Sequence, residues 1–328
     1  MFVNIFKKRY IPQLLIIGIT PVILWCIAFI KPPQVVETSF DMLLYTYFHS
    51  LLGDMPLFAT VIAFILMIIN GLLLNYIFTS NKLVQKTTYM PAFLYYLLSS
   101  SNYRFMTMSS LLLMNLCLIV ALWCFYQVYS RKESTEEIFS TSLIISIGTM
   151  FYAPTVFFML WIWIGFFIYK AYHIKKWFIS IFGFITPFIF TVVYYYLTDQ
   201  LAERFHWFIN TFVRFPTIYS ISKPIDVVYL VGLGLLLIPS LFYVRNSKIE
   251  NNIIYGKKCS ILTILLFVAL LPMAYVMDYS EFSAFFSIPL SFMITIFLFA
   301  RRKLLYSNII LFLLILITFV KIYFTFIS

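Results

Sequence analysis

Apolar runs of about twenty residues recur along the whole chain, and this repetition constrains the fold more than any other feature. Breaking the chain at its charged positions gives eleven such runs: 11–30, 56–79, 88–101, 107–129, 138–152, 154–172, 177–197, 225–244, 259–277, 283–300 and 305–327. A bilayer core is about 30 Å thick, and a helix needs roughly 17–25 residues to cross it. Most runs meet that length, while 88–101 and 138–152 fall short and suit a re-entrant hairpin or a thinned crossing. The pattern predicts an all-α fold, a polytopic transmembrane bundle of about eleven spanning helices, with nine as the lower bound. No long Gly/Ser- or Pro-rich linker interrupts it, so residues 1–328 read as a single integral membrane domain.

Composition agrees. Apolar residues make up 63% of the chain and charged residues 11%, against roughly 25% charged in soluble domains. A soluble fold of this composition would expose large apolar patches, which monomeric proteins avoid. The formal charge of +11 does not point to nucleic acid. The basic residues sit in short clusters between apolar runs, which is how membrane helices are oriented. Lys7, Lys8 and Arg9 precede a first run too long for a signal-peptide core, so that run reads as a retained spanning helix.

The positive-inside rule sets the direction. With eleven crossings and a cytoplasmic N-terminus, the cytoplasmic side receives Lys7, Lys8, Arg9, Lys82, Lys86, Arg131, Lys132, Lys170, Lys175, Lys176, Arg245, Lys248, Lys257, Lys258, Arg301, Arg302 and Lys303. That is 17 of the 23 basic residues. Omitting 88–101 would move Arg131, Lys132, Lys175 and Lys176 outside, so that run is counted as a crossing. Acids contribute little to orientation. Even so, Glu37, Asp41, Asp54, Asp199, Glu203, Asp226, Asp278 and Glu281 all fall outside, leaving Glu133, Glu136, Glu137 and Glu250 inside.

Two stretches on the outer side, 31–55 and 198–224, contain segments that read as amphipathic helices lying in the membrane interface. In the first, Phe40, Leu44, Tyr47 and Leu51 form a lipid stripe, and Asp41, Tyr45 and His49 share another face at i, i+4 and i+8. In the second, Leu201, Phe205, Phe208, Phe212 and Phe215 are apolar, and Glu203, Arg204, His206, Asn210 and Arg214 take the remainder.

Chemistry is expected on this side. Glu37, Asp41, His49 and Asp54 could supply a general base for a hydroxyl acceptor, or simply a solvated loop. Asp199, Glu203, Arg204, His206 and Arg214 could bind a phosphate or pyrophosphate head, since Arg pairs with such groups bidentately; ordinary snorkelling explains the same residues. Asp278 and Glu281 could complete an acidic pocket or form a polar turn. The spans carry essentially no central ionisable residue, which counts against an ion-coupled transporter. Asn70 and Asn115 read as interhelical hydrogen-bonding residues. Cys26, Cys117, Cys124 and Cys259 have no metal-binding spacing, and no Walker A, GxSxG, HExxH or Asp-x-Asp pattern occurs. No metal or other cofactor is expected.

SNKLVQKTTYMPAFLYYLLSSS (80–101) and EEIFSTSLIISIGTMFYAPTVFFMLWIWIGFFIYKAYHIKKWFISIFGFITPF (136–188) resemble an uncharacterised family of bacterial multi-spanning inner-membrane proteins. The resemblance implies a bacterial inner-membrane location and no mechanism. Members are sometimes labelled β-carotene monooxygenases. Such oxygenases hold iron with four histidines, whereas this chain has three, His49, His173 and His206. More distantly, the layout resembles membrane glycosyltransferases that use polyprenyl-phosphate sugars. That likeness implies Asp41 as catalytic base, with Glu37 as the second choice. The chain departs from it in lacking a large soluble domain and an Asp-x-Asp pair.

Three functions follow as expectations. The first is an outer-face transferase acting on polyprenyl- or lipid-linked sugars in envelope glycan assembly. The second is a non-enzymatic subunit of a cell-envelope complex, and the third a channel or facilitator. The expected partners are membrane lipids, a polyprenyl-phosphate-linked substrate and envelope-complex proteins, with nucleic acid excluded.

Overall fold

Backbone polar groups find no water in a hydrocarbon core, so a spanning chain satisfies them within helices. The computed structural model, which describes residues 2–8, 10–84, 88–129, 134–213, 224–250, 253–276, 281–300 and 304–327, is predominantly helical. Its helices are α1 (Phe2–Lys8), α2 (Tyr10–Ile30), α3 (Leu43–Leu52), α4 (Pro56–Ser80), α5 (Met90–Ser100), α6 (Ser110–Gln127), α7 (Thr135–Phe151), α8 (Phe158–Tyr169), α9 (Ile174–Leu197), α10 (Leu201–Val213), α11 (Pro224–Glu250), α12 (Ile253–Val268), α13 (Leu270–Val276), α14 (Phe282–Ala300) and α15 (Leu304–Ile327). Two 3₁₀ turns, Tyr103–Met106 and Ala153–Phe157, complete it. Of the charges named above, those at residues 9, 86, 131–133, 214, 278 and 301–303 lie outside the described residues.

Among the described residues, seven helical stretches are long and apolar enough to cross a membrane: Ile11–Ile30, Pro56–Ser80, Ser110–Gln127, Ile174–Leu197, Ile225–Arg245, Ile253–Val276 and Leu305–Phe326. Together they mark a helical membrane protein. Their outward faces are bare hydrocarbon: Phe190 is 71% exposed, Ile238 69% and Phe312 64%. In water these faces would form large apolar patches; in lipid they are solvated by acyl chains.

Hydrogen bonds between distant helices define two ends of the bundle. At one end Gln13 of α2 donates to the carbonyls of Ile5 and Phe6 and accepts from the backbone of Tyr89 at 3.0 Å. Lys258 reaches Asn81 there, and Tyr126 reaches the carbonyl of Lys258. At the other end lies Asp41, in the segment that follows α2, in contact with the first residue of α6. Successive segments run between these ends. Between them Asn115 donates to the carbonyl of Ala284 at 2.8 Å and accepts from Ser287, and Asn70 donates to the carbonyl of Leu112. Both asparagines do the joining expected of them.

The short run 88–101 has a specific explanation. It folds as the 11-residue helix α5, buried at every position. At 1.5 Å per residue it rises about 16 Å, roughly half a hydrocarbon core. It runs beside α2 in the same sense, its start tied to Gln13 and its end to Trp25, whose indole N–H donates to Ser100 at 3.0 Å. The adjoining 3₁₀ turn carries the chain on to the Asp41 end. A helix enclosed by other helices need not match the bilayer's thickness by itself.

The expectation for 31–55 needs correction. Helix α3 begins at Leu43, so Phe40 and Asp41 precede it. This part is extended because it pairs with the α7 terminus: Met42 N–H donates to the carbonyl of Phe151 and Ala153 N–H to that of Phe40. Phe40 is therefore not on a lipid stripe. It is 6% exposed and packs against Tyr152 and Tyr275, while Tyr47 and Leu51 stay exposed as expected.

Candidate functional site

Residues far apart in sequence meet at the Asp41 end. The extended strap brings in Asp41, the 3₁₀ turn at 103–106 brings Arg104, the first residue of α6 is Ser110, the strap's pairing partner is Tyr152, and Glu281 immediately precedes α14. Asp41 is 3% exposed and Glu281 1%. Buried carboxylates need hydrogen-bonding or ionic partners, and both have them. Asp41 Oδ2 accepts from the backbone N–H of Thr38 at 2.6 Å, and Oδ1 accepts from the Ser110 hydroxyl. Glu281 pairs with Arg104 through Oε1 and accepts from the Tyr152 hydroxyl through Oε2 at 2.5 Å.

These environments set the charge states. Burial pushes the Asp41 carboxyl up from 3.8 to about 6. Hydrogen bonds from Ser110 and Thr38, and the nearby Arg104 charge, recover part of that penalty. Tyr45 is buried beside it and donates to the carbonyl of Met108 at 3.0 Å. Burial, together with the charges of Asp41 and Glu37, raises its hydroxyl and keeps it a neutral donor.

The other expected site residues are placed as follows. Glu37 lies at the surface, 3.2 Å from His49 Nδ1, and the other ring nitrogen of His49 faces the carbonyl of Val35. Asp54, Asp199 and Glu203 are exposed, Asp199 with a left-handed backbone just past α9. Arg204 departs from its expected polar face. It lies at i+3 from Leu201 and i−4 from Phe208, and lines an apolar pocket with both. Its guanidinium sits 5.8 Å from the centre of the Tyr195 ring. Glu281 is not an exposed turn acid, because Arg104 and Tyr152 enclose it. Arg214, Asp278 and Phe215 lie outside the described residues, as do the side chains of His206 and Phe212.

Arg104, Ser110 and Tyr152 were not singled out from the sequence. The only local signal was the polar stretch 99–110 between two apolar runs. A second buried pair at helix ends also escaped notice: Lys321 Nζ is 3.1 Å from Asp226 Oδ1 and 4.5 Å from the centre of the Tyr229 ring. Among the described residues, no three His, Cys, Asp or Glu gather to hold a metal ion.

No family model, curated protein or solved structure matches this chain.

Proposed function

We propose that the chain is a membrane-embedded transferase acting on a lipid-linked substrate, with Asp41 as the general base. The observation that carries this reading is the buried Asp41 carboxyl, lifted to about 6 and held by Ser110 and Thr38 beside the Arg104 charge. A base whose pKa lies slightly below neutrality is ionised at neutral pH and still takes a proton readily. It would accept the proton of an acceptor hydroxyl while that oxygen bonds to the sugar carbon. The bond from that carbon to the lipid phosphate breaks, and the phosphate leaves with the electron pair. Glu37 and His49, paired nearer the surface, would in this reading meet a polar acceptor first.

This reading includes a topology: eleven crossings, a cytoplasmic N-terminus and the Asp41 end facing outward from a bacterial inner membrane. The alternation of segments between the Gln13 and Asp41 ends supports it, as do the lysines Lys170, Lys175, Lys176, Lys257 and Lys258 toward the Gln13 end.

The enclosure of Asp41 and Glu281 favours a second reading. In it the chain is a non-catalytic subunit of an envelope complex, and the polar cluster locks the helix ends together. Asp41→Asn separates the two, because the amide can accept from Thr38 while donating to the rotated Ser110 hydroxyl. For the transferase, the variant inserts normally and lipid-linked glycan products disappear. Unchanged products sink the catalytic role and leave the lock.

A further inference from the structure

Beside the polar cluster an apolar pocket of about 420 Å³ lies between α9 and α10. That is within the roughly 300–1,000 Å³ usual for ligand sites. Phe184, Phe188 and Val192 of α9 line it together with Phe205 and Phe208 of α10, and Leu43, two residues past Asp41, joins the lining. Among the described residues, Arg204 is the one charged residue in this lining. Its Nε is buried and, among the described residues, has no hydrogen-bond partner. A buried guanidinium donor without an acceptor is costly, and its preferred partner is a carboxylate or phosphate. The acids nearest in sequence, Asp199 and Glu203, are exposed instead.

We propose that this pocket binds one hydrocarbon chain of a lipid whose phosphate head pairs with Arg204. The aromatic walls remove the chain from its surroundings, and half-buried Arg204 brings its guanidinium to the rim of the lining. Spacing carries the same message. Leu201, Arg204, Phe205 and Phe208 fall on one helical face, so the cation is set among the apolar contacts rather than opposite them. The proposal rests on the transferase reading only for the claim that the bound lipid is the substrate.

The test uses the full chain in maltoside micelles and measures equilibrium binding of oleoyl-lysophosphatidate, mono-oleoylglycerol and inorganic phosphate. The wild type should bind the phosphate lipid about tenfold or more tighter than its neutral counterpart. Arg204→Gln should erase that preference while leaving the neutral lipid's affinity unchanged. Val192→Trp, which fills the slot with Arg204 intact, should weaken both lipids. Millimolar inorganic phosphate should not displace the lipid. A preference that survives Arg204→Gln overturns the proposal, as does displacement by free phosphate, which would mark a small-anion site. Binding requires no turnover, so the two readings fail separately. Normal lipid binding with full product from Asp41→Asn removes the transferase and leaves the pocket.

Discussion

The hydroxyl of Tyr152 lies 2.5 Å from Oε2 of Glu281, joining residues 129 apart in sequence. Arg104 occupies the other oxygen of the same carboxylate, so one buried acid ties together three chain segments. Removing one partner of such a pair leaves an uncompensated charge, which costs more than the pair itself contributes. Arg104→Ala should therefore destabilise the protein by about 3 kcal/mol, measured as reversible unfolding in mixed micelles. Tyr152→Phe removes one neutral donor and should cost roughly 1–2 kcal/mol. Arg104→Gln combined with Glu281→Gln should recover much of the single-variant loss; strict additivity would show that the two side chains act independently.

Asp41 gives the protein a pH dependence of defined sign. Its native pKa of about 6 exceeds the ordinary 3.8. Between those values the native state keeps a proton that the unfolded chain has released. Stability should therefore fall as pH rises from about 4 to 6, then level off, with a total change of up to roughly 3 kcal/mol. Asp41→Asn cannot titrate and should lose the part of this fall that Asp41 contributes. Parallel pH profiles of melting temperature for the two proteins would show that the Asp41 carboxyl is not the titrating group.

The helices were legible because lipid imposes both length and apolarity on any segment it touches. The segments Ile11–Ile30, Pro56–Ser80 and Leu305–Phe326 follow directly from that rule. Helix α5 broke it because its surroundings are other helices. The site was legible in part. Asp41 stood out as an acid in the outer stretch 31–55, yet its placement on a helix face with Tyr45 and His49 was wrong. Helical spacing cannot reveal that a strap pairs with Tyr152 more than a hundred residues away. Arg104 and Glu281 meet across 177 residues, and no local pattern encodes such a meeting.

The proposed orientation makes a labelling prediction. Asp54 and Lys175 are exposed and belong to opposite ends of the bundle. In a background with Cys26, Cys117, Cys124 and Cys259 replaced, Asp54→Cys should react with a membrane-impermeant maleimide in cells whose inner membrane is intact. Lys175→Cys should react only after that membrane is opened. The reverse pattern would invert the topology and put Asp41 on the cytoplasmic side.

Gln13 closes the opposite end with three hydrogen bonds, to the carbonyls of Ile5 and Phe6 and from the N–H of Tyr89. Gln13→Leu keeps similar bulk but strips these buried or part-buried groups of their partner. Each unsatisfied group costs about 1–3 kcal/mol, so the variant should lose several kcal/mol in total. The loss should concentrate at the start of α5. Hydrogen exchange should therefore speed up at Tyr89 and the first turn of α5 before it changes in α6.

Gly183 lets α9 approach α7 closely, one residue before Phe184 of the pocket lining. A Cβ there would sit 2.7 Å from the carbonyl oxygen of Phe139 on α7, a backbone atom that no rotamer change can move. The neighbouring Ser146 hydroxyl donates to the carbonyl of Phe184 at 2.5 Å, so the same close contact carries a cross-helix hydrogen bond. Small residues drive helix association in lipid by permitting this proximity. Gly183→Ala should push α9 from α7 and destabilise the bundle by roughly 1–3 kcal/mol. Gly18, with nothing within 4 Å of its Cβ position, is the matched control. Gly18→Ala should be neutral or slightly stabilising, since alanine favours a helix over glycine by about 1 kcal/mol. Because α9 also forms one wall of the pocket, Gly183→Ala should weaken oleoyl-lysophosphatidate binding, and Gly18→Ala should leave it intact. Equal effects of the two substitutions on stability and on binding would mean that the contact between α7 and α9 does not hold the pocket's wall in place.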